Sequence, residues 1–298
     1  MTNKTDHPFK STNMPFTMKA FFSLTTFVFK IVGAISPTLA GKLALRLFMT
    51  PPKVIIPRRE KPIRESAKLH FINIKDRQIS VRSWGEGPTI LLAHGWGGRS
   101  SQLMGFIEPL VAAGYRVVGF EIPGHGDSTG KHSNMLDGAS IIAEVIKQEG
   151  PVEAIIAHSF GTGTTLLSID KFGVKTPKVV LISTFSGVEF ILEIFGDLFS
   201  LRQSTLDAMQ QVALKKFAHE YHVGWDWNEI SPLETIKSCD SELLLIHDDQ
   251  DHEVPIEEVL PLHNSQPQAK KLITSGFGHR KILLNKEVID TTIDFITQ

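Results

Sequence analysis

Ser159 stands in the run Ala157-His158-Ser159-Phe160-Gly161, where a short apolar stretch, Val152–Ala157, passes directly into a helical pattern, Phe160–Phe172. A serine on such a strand-to-helix turn presents its hydroxyl to solvent, and the helix N-terminus favours negative charge beside it. Small residues two before and two after relieve crowding; Ala157 holds the first of these positions, where glycine is commoner, and Gly161 the second. A serine nucleophile needs a base to take its proton and a carboxylate to orient that base. His279, in Gly276-Phe277-Gly278-His279-Arg280, and the acidic run Asp248-Asp249-Gln250-Asp251 offer both, in the chain order serine, acid, histidine. The loop His94-Gly95-Trp96-Gly97-Gly98 can bring its backbone close to a ligand, which makes the N–H groups of Trp96 and Phe160 candidate donors to a developing oxyanion. The chemistry these residues suit is acyl transfer through a serine.

Such groups must be held at the ends of strands, and the sequence provides them. Leu69–Ile74 and Gln78–Trp84 read as a hairpin, followed by short β-branched runs at Thr89–Ala93, Tyr115–Glu121, Val152–Ala157, Lys178–Ser183, Glu242–Ile246 and Lys270–Thr274. Several are continuously apolar, as strands covered on both faces should be. Helical patterns lie between them at Ser101–Ala113, Asn134–Glu149, Phe160–Phe172, Ile256–Asn264 and Arg280–Ile296. The alternation predicts an α/β fold with a mostly parallel eight-stranded sheet flanked by helices. In such sheets, ligands meet the carboxyl ends of the strands.

Taken together, these residues resemble the α/β-hydrolase superfamily over about Leu69–Gln298. The resemblance rests on the glycine-rich loop at His94–Gly98, the Pro123-Gly124-His125-Gly126-Asp127-Ser128 turn, the elbow at Ser159, the Asp-x-x-Val-Pro pattern at Asp251 and the Gly-His pair at His279. It implies an α/β-hydrolase fold in which Ser159 is the nucleophile, His279 the general base and then acid, Asp251 the orienting acid, and Trp96 and Phe160 the oxyanion donors. Asp248 and Asp249 lie near the acid position; the spacing to Val254-Pro255 favours Asp251, with Asp249 as runner-up. A serine at the elbow separates the chain from dehalogenase-like and epoxide-hydrolase-like members, which use aspartate there. The implied activity is a serine hydrolase of hydrophobic carboxylic esters, esterase-like or lysophospholipase-like, with no metal or organic cofactor. An acyltransferase or thioesterase on the same triad, and a non-catalytic binding module of the same fold, are the alternatives. The stretch Phe185–Cys239 is expected to form a small helical cap, whose row Phe190, Ile191, Ile194, Phe195, Leu198 and Phe199 reads either as helical core or as a wall for an acyl chain.

The net charge of −1 conceals two unlike parts. Residues 1–68 carry 12 Lys and Arg against 3 Asp and Glu, and residues 69–298 carry 19 against 29. The first part divides the chain at residue 68, ahead of the hydrolase-like domain. Met1–Pro15 is expected to be loose. Phe16–Ile35 patterns as an amphipathic helix with a narrow polar stripe of Lys19, Ser23, Thr26 and Lys30. Ser36-Pro37 suits the start of a second helix, Thr38–Met49, and Lys53–Lys68 reads as a linker. This N-terminal helical hairpin has three open readings: peripheral membrane contact through residues 16–49, packing on its own domain or a second subunit, and a cleaved secretory signal. Lys30 and Pro37 interrupt a true membrane span.

The single cysteine, Cys239, allows no intrachain disulfide and suits a reducing compartment, so the expected location is cytoplasmic and peripheral to membrane. No phosphate-cradling loop, dinucleotide fingerprint or nucleic-acid face is present, and the partner that the resemblance implies is a small hydrophobic ester. His219-Glu220-Tyr221-His222 places its histidines three apart, where a zincin needs four, and reads as a solvated helix face. His94, His125 and His158 read as hydrogen-bonding loop residues.

Overall fold

The computed structural model describes residues 16–221 and 226–298. The expectations for Met1–Pro15 and His222 fall outside them. Two helices open the described chain, α1 (Phe16–Ile35) and α2 (Pro37–Phe48), followed by the short α3 (Lys61–Glu65). Strands β1 (Lys68–Ile74), β2 (Arg77–Trp84) and β3 (Thr89–Ala93) precede α4 (Met104–Ala112), β4 (Arg116–Phe120), α5 (Met135–Glu149), β5 (Val152–His158), α6 (Phe160–Phe172) and β6 (Lys178–Ile182). Next come α7 (Val188–Phe199), α8 (Gln203–Tyr221) and α9 (Pro232–Thr235). The chain closes with β7 (Glu242–Asp248), α10 (Ile256–Ser265), β8 (Lys270–Thr274), α11 (Gly278–Lys281) and α12 (Lys286–Thr297).

The eight strands form one sheet in the order β1-β2-β4-β3-β5-β6-β7-β8. The pairs β1–β2 and β2–β4 are antiparallel and the rest are parallel. The continuous apolar runs are explained by the two-residue repeat of a strand, which sends neighbours to opposite faces. Leu91, Ile155, Val179, Leu181, Leu243 and Leu245 enter the core on one face with Ile141, Ile142 and Leu166. Ile90, Leu92, Ile156, Val180, Leu244 and Ile246 enter the core on the other with Phe106, Ile107 and Phe295. Both faces being covered, the parallel strands leave their carboxyl ends as the place for chemistry.

The described chain divides into two compact units: residues up to Met49 with Gly187–Glu229, and Thr50–Ser186 with Ile230–Gln298. This differs from the division at residue 68, and from a cap running from Phe185 to Cys239 as an insertion of the hydrolase-like domain alone. The reason lies in apolar faces that need partners. Within the helical unit, α2 packs closely along α8: a Cβ on Gly41 would lie 2.6 Å from the Met209 nitrogen and 2.8 Å from the Ala208 carbonyl carbon. Phe199 of α7 meets Phe22 and Phe29 of α1 at ring-centroid distances of 5.5 and 6.2 Å, and Phe195 meets Phe48 of α2 at 5.1 Å. The buried part of the α7 row is therefore core of this unit. Ser36 caps α2, its hydroxyl oxygen accepting the Leu39 N–H at 3.3 Å.

Residues 53–68 are more than a linker. Arg58–Glu60 form a 3₁₀ turn leading into α3, and Glu60 and Ile63 are buried in the sheet unit. Proline and arginine made this stretch look like a connector, but its charges have buried partners that sequence spacing does not show.

Candidate active site

Ser159 lies between β5 and α6 with φ +53°, a left-handed conformation that is costly for a residue with a side chain. Three contacts enforce it. The Ser159 N–H donates to the Ile182 carbonyl at 2.9 Å, and the Ser159 carbonyl accepts from the Thr162 N–H and the Thr162 hydroxyl at 2.8 and 2.6 Å. The following small residue is sterically required, since a Cβ on Gly161 would sit 2.3 Å from the Ala93 carbonyl oxygen. On the preceding side, the fully buried Ala157 accommodates its methyl.

Asp251 and His279 come together as a pair, with the His279 Nδ1 donating to Asp251 Oδ2 at 2.7 Å. A proton on Nδ1 leaves Nε2 as the basic nitrogen of the ring. The other carboxylate oxygen accepts the Glu253 and Val254 N–H groups at 2.9 and 2.8 Å. Burial opposes ionisation of Asp251, but the His279 bond and charge and the backbone donors outweigh it and hold the carboxyl below its usual range. Asp249 is exposed, and Asp248 has a different task. The Asp248 carboxylate accepts from the Thr274 hydroxyl at 2.8 Å and from the Gly278, Phe277 and Gln250 N–H groups at 2.9, 3.1 and 3.1 Å. It thus fixes the turn that carries His279.

His158 ties the serine turn to that turn. Its Nε2 donates to the His279 carbonyl at 2.8 Å and its ring lies tilted against the His279 ring at a centroid distance of 4.7 Å. Burial, then the neighbouring His279, lowers its pKa to about 3, so it stays neutral and serves as a fixed donor.

The glycine-rich loop borders Ser159 from the other side: a Cβ on Gly95 would lie 3.2 Å from the Ser159 Cβ. Gly98 N–H closes the loop on the Gly95 carbonyl at 2.9 Å, and Gly97 N–H donates to His125 Nε2 at 3.0 Å. The rings of Trp96 and Phe160 meet at 5.1 Å, flanking the half-buried Ser159 with apolar surface. Phe160 opens α6, so its N–H is one of those that a helix leaves without an intrahelical acceptor. His94 and His125 work as loop struts. His94 Nδ1 donates to the Gly95 carbonyl at 2.8 Å while Nε2 accepts the Ile122 N–H at 3.3 Å, and His125 Nδ1 donates to the Pro123 carbonyl at 3.0 Å. Burial lowers their pKa values to about 4 and about 3, which keeps one nitrogen of each free to accept.

Behind these loops stand two buried ionic clusters. Arg99, directly after the glycine-rich loop, forms a forked ion pair with Glu60, which also accepts the Ser101 hydroxyl at 2.7 Å. Glu121, directly after β4, accepts from Arg64, the Ser80 hydroxyl and the Asp127 N–H at 2.9, 2.8 and 2.7 Å, and Arg64 and Arg82 both reach Asp127. This holds the Pro123–Ser128 turn. Sequence reading missed both clusters, and Asp248 as an organiser. A carboxylate at the end of a buried strand or directly after it, as at Asp248 and Glu121, was the available signal, because such a charge needs partners.

Residues 90–263 match the sequence model of the Alpha/beta hydrolase family. Among curated proteins, a non-heme haloperoxidase of Rhodococcus erythropolis is 31% identical over 117 residues, 38% of this chain and 43% of that protein. The chain thus spans less than half the length of that relative. Among solved structures, the Pyrococcus furiosus esterase Pf2001 matches with a TM-score of 0.60 at 19% identity, covering 83% of this chain and 98% of the esterase. A bacterial membrane phospholipase A matches with a TM-score of 0.60 at 15% identity, covering 94% of this chain and 100% of that one. At these identities the structural likenesses speak for the fold, and the sequence match speaks for descent. An eight-stranded, mostly parallel sheet with a left-handed serine turn after β5, matched by the family over more than half its length, leads to one conclusion: the chain belongs to the alpha/beta hydrolase family.

Proposed function

We propose that the chain is a serine hydrolase that cleaves hydrophobic carboxylic esters through an acyl-enzyme. The observation that carries this reading is the 2.7 Å bond from His279 Nδ1 to Asp251, on a turn tied by His158 to the strained Ser159 elbow. In the reaction, His279 Nε2 takes the Ser159 proton as Oγ attacks the ester carbonyl carbon. The backbone N–H groups of Trp96 and Phe160 receive the oxyanion. His279 then protonates the departing alcohol, and water, deprotonated by the same nitrogen, releases the acid and restores Ser159. The Trp96 and Phe160 rings beside the serine favour an apolar acyl group, as in a lysophospholipid or monoacylglycerol.

The test is covalent labelling by a fluorophosphonate probe. Labelling of the native chain and its loss in Ser159→Ala is the expected result. No labelling of folded protein overturns the reading. Turnover of p-nitrophenyl esters of rising chain length, beside the matching acyl thioesters, then reads the leaving group and acyl preference.

A further inference from the structure

We propose that the α1–α2 hairpin docks the protein on an anionic lipid bilayer, with α1 lying in the plane of the interface. On α1 the side toward α7 is occupied, since Phe29 and Gly33 are buried and the rings of Phe22 and Phe29 pack against Phe199. Among the described residues the opposite side is not. Phe21, Leu24, Phe27, Val28, Ile31 and Ile35 all stand exposed, with Leu24 and Phe27 at 65% and 60%. At 100° per residue these six fall within one continuous stripe. A stripe of this size on one helix is more than scattered surface apolar residues explain.

Charge identifies the occupant. Phe16–Met49 contains four basic residues, Lys19, Lys30, Lys42 and Arg46, and no acidic one. Lys19, Ser23 and Lys30 follow one another along the edge of the stripe, where long basic side chains reach headgroups while the neighbouring face enters the acyl boundary. On α2 the exposed Leu39 and Leu43 alternate with exposed Lys42 and Arg46 in the same manner. A second protein copy would meet this basic rim with its own equal charge, whereas phosphate headgroups complement it. By length and hydropathy α1 also suffices to cross a membrane. A crossing helix would place Lys19 or Lys30, about 16 Å apart along the axis, in hydrocarbon, and α1 would have to leave Phe199.

Flotation of the full-length protein with phosphatidylcholine vesicles, alone or mixed with phosphatidylglycerol, tests this without requiring turnover. A failure of the hydrolase reading would leave its result standing. The native chain is expected to float with the mixed vesicles and to be released by carbonate at high pH. Leu24→Ser/Phe27→Ser/Ile31→Ser, which alters exposed positions only, should lose flotation with unchanged circular dichroism. Lys30→Glu/Lys42→Glu should weaken binding to mixed vesicles by about tenfold or more. Four results overturn the proposal: no flotation of the native chain, equal binding to both vesicle types, retention after carbonate with protease protection across the bilayer, or a dimer in solution that the serine variant makes monomeric and that does not float.

Discussion

The three aspartates after β7 show how position within a few residues assigns different work. Asp251 meets His279, Asp248 gathers three donors from the end of β8 and the turn on which His279 sits and a fourth from Gln250, and Asp249 faces solvent. Asp248→Asn replaces an acceptor-only group with one that presents N–H to other N–H donors. Loosening the His279 turn in this way should lower kcat on a soluble ester by about 10- to 100-fold, while Asp249→Asn leaves it within twofold of native, about the scatter expected for an exposed change. Steady-state kinetics of the two variants checks this, and equal losses would remove the assignment. At this scale the sequence was informative where residue type implies a role. Ser159, Asp251 and His279 could be singled out as candidates because nucleophile, acid and base are chemically distinct residue types. Asp248 could not be told from its neighbours, since the difference lies in which backbone N–H groups fold over it.

Among the elements, the segment from Thr50 to Ser66 and the hairpin before it gained most from tertiary contacts. Glu60 and Arg99 lie 39 positions apart and are both almost fully buried, so removing one partner strands a charge. Glu60→Ala should destabilise the fold by about 3 to 5 kcal/mol, whereas Glu60→Met combined with Arg99→Met recovers much of that loss. Chemical denaturation of the single and double variants reads the coupling. In the helical unit, the near contact of α2 and α8 at Gly41 leaves no space for a side chain. Gly41→Val must separate the helices and should cost about 1 to 3 kcal/mol, seen as early loss of helical circular dichroism on heating. The helices themselves were legible from apolar spacing, and the Ser36 cap from its sequence. Their partner was not, because a periodic apolar face states that something must cover it without naming what.

At the scale of the molecule, buried neutral histidines set the response to acid. In the sheet unit His94, His125, His158 and His263 have pKa values lowered to about 4, 3, 3 and 4, chiefly by burial. Their folded values lie below the unfolded value of about 6.5, so below that pH the unfolded chain binds protons that the folded one refuses. Stability should therefore fall as pH drops from about 6.5 toward 4, by up to about 1.4 kcal/mol per pH unit for each such histidine. Asp251 acts lower down: its depressed folded pKa contributes stability above about pH 4 that is lost as pH falls through the folded value. Urea midpoints measured between pH 7 and 4 should slide downward by this amount, and a flat profile would contradict the burial of these rings. The sequence by itself determined the order of strands and helices along the chain, the two-faced core and the candidates for nucleophile, acid and base, since these follow from local periodicity and from side-chain chemistry. Only the tertiary structure decided that Thr50–Ser66 braces the loops around Ser159, that α1 and α2 share a unit with α7 and α8, and that one face of α1 stays uncovered among the described residues. Those outcomes depend on which distant residues meet, and a buried charge or an apolar stripe can be satisfied by many partners until packing selects one.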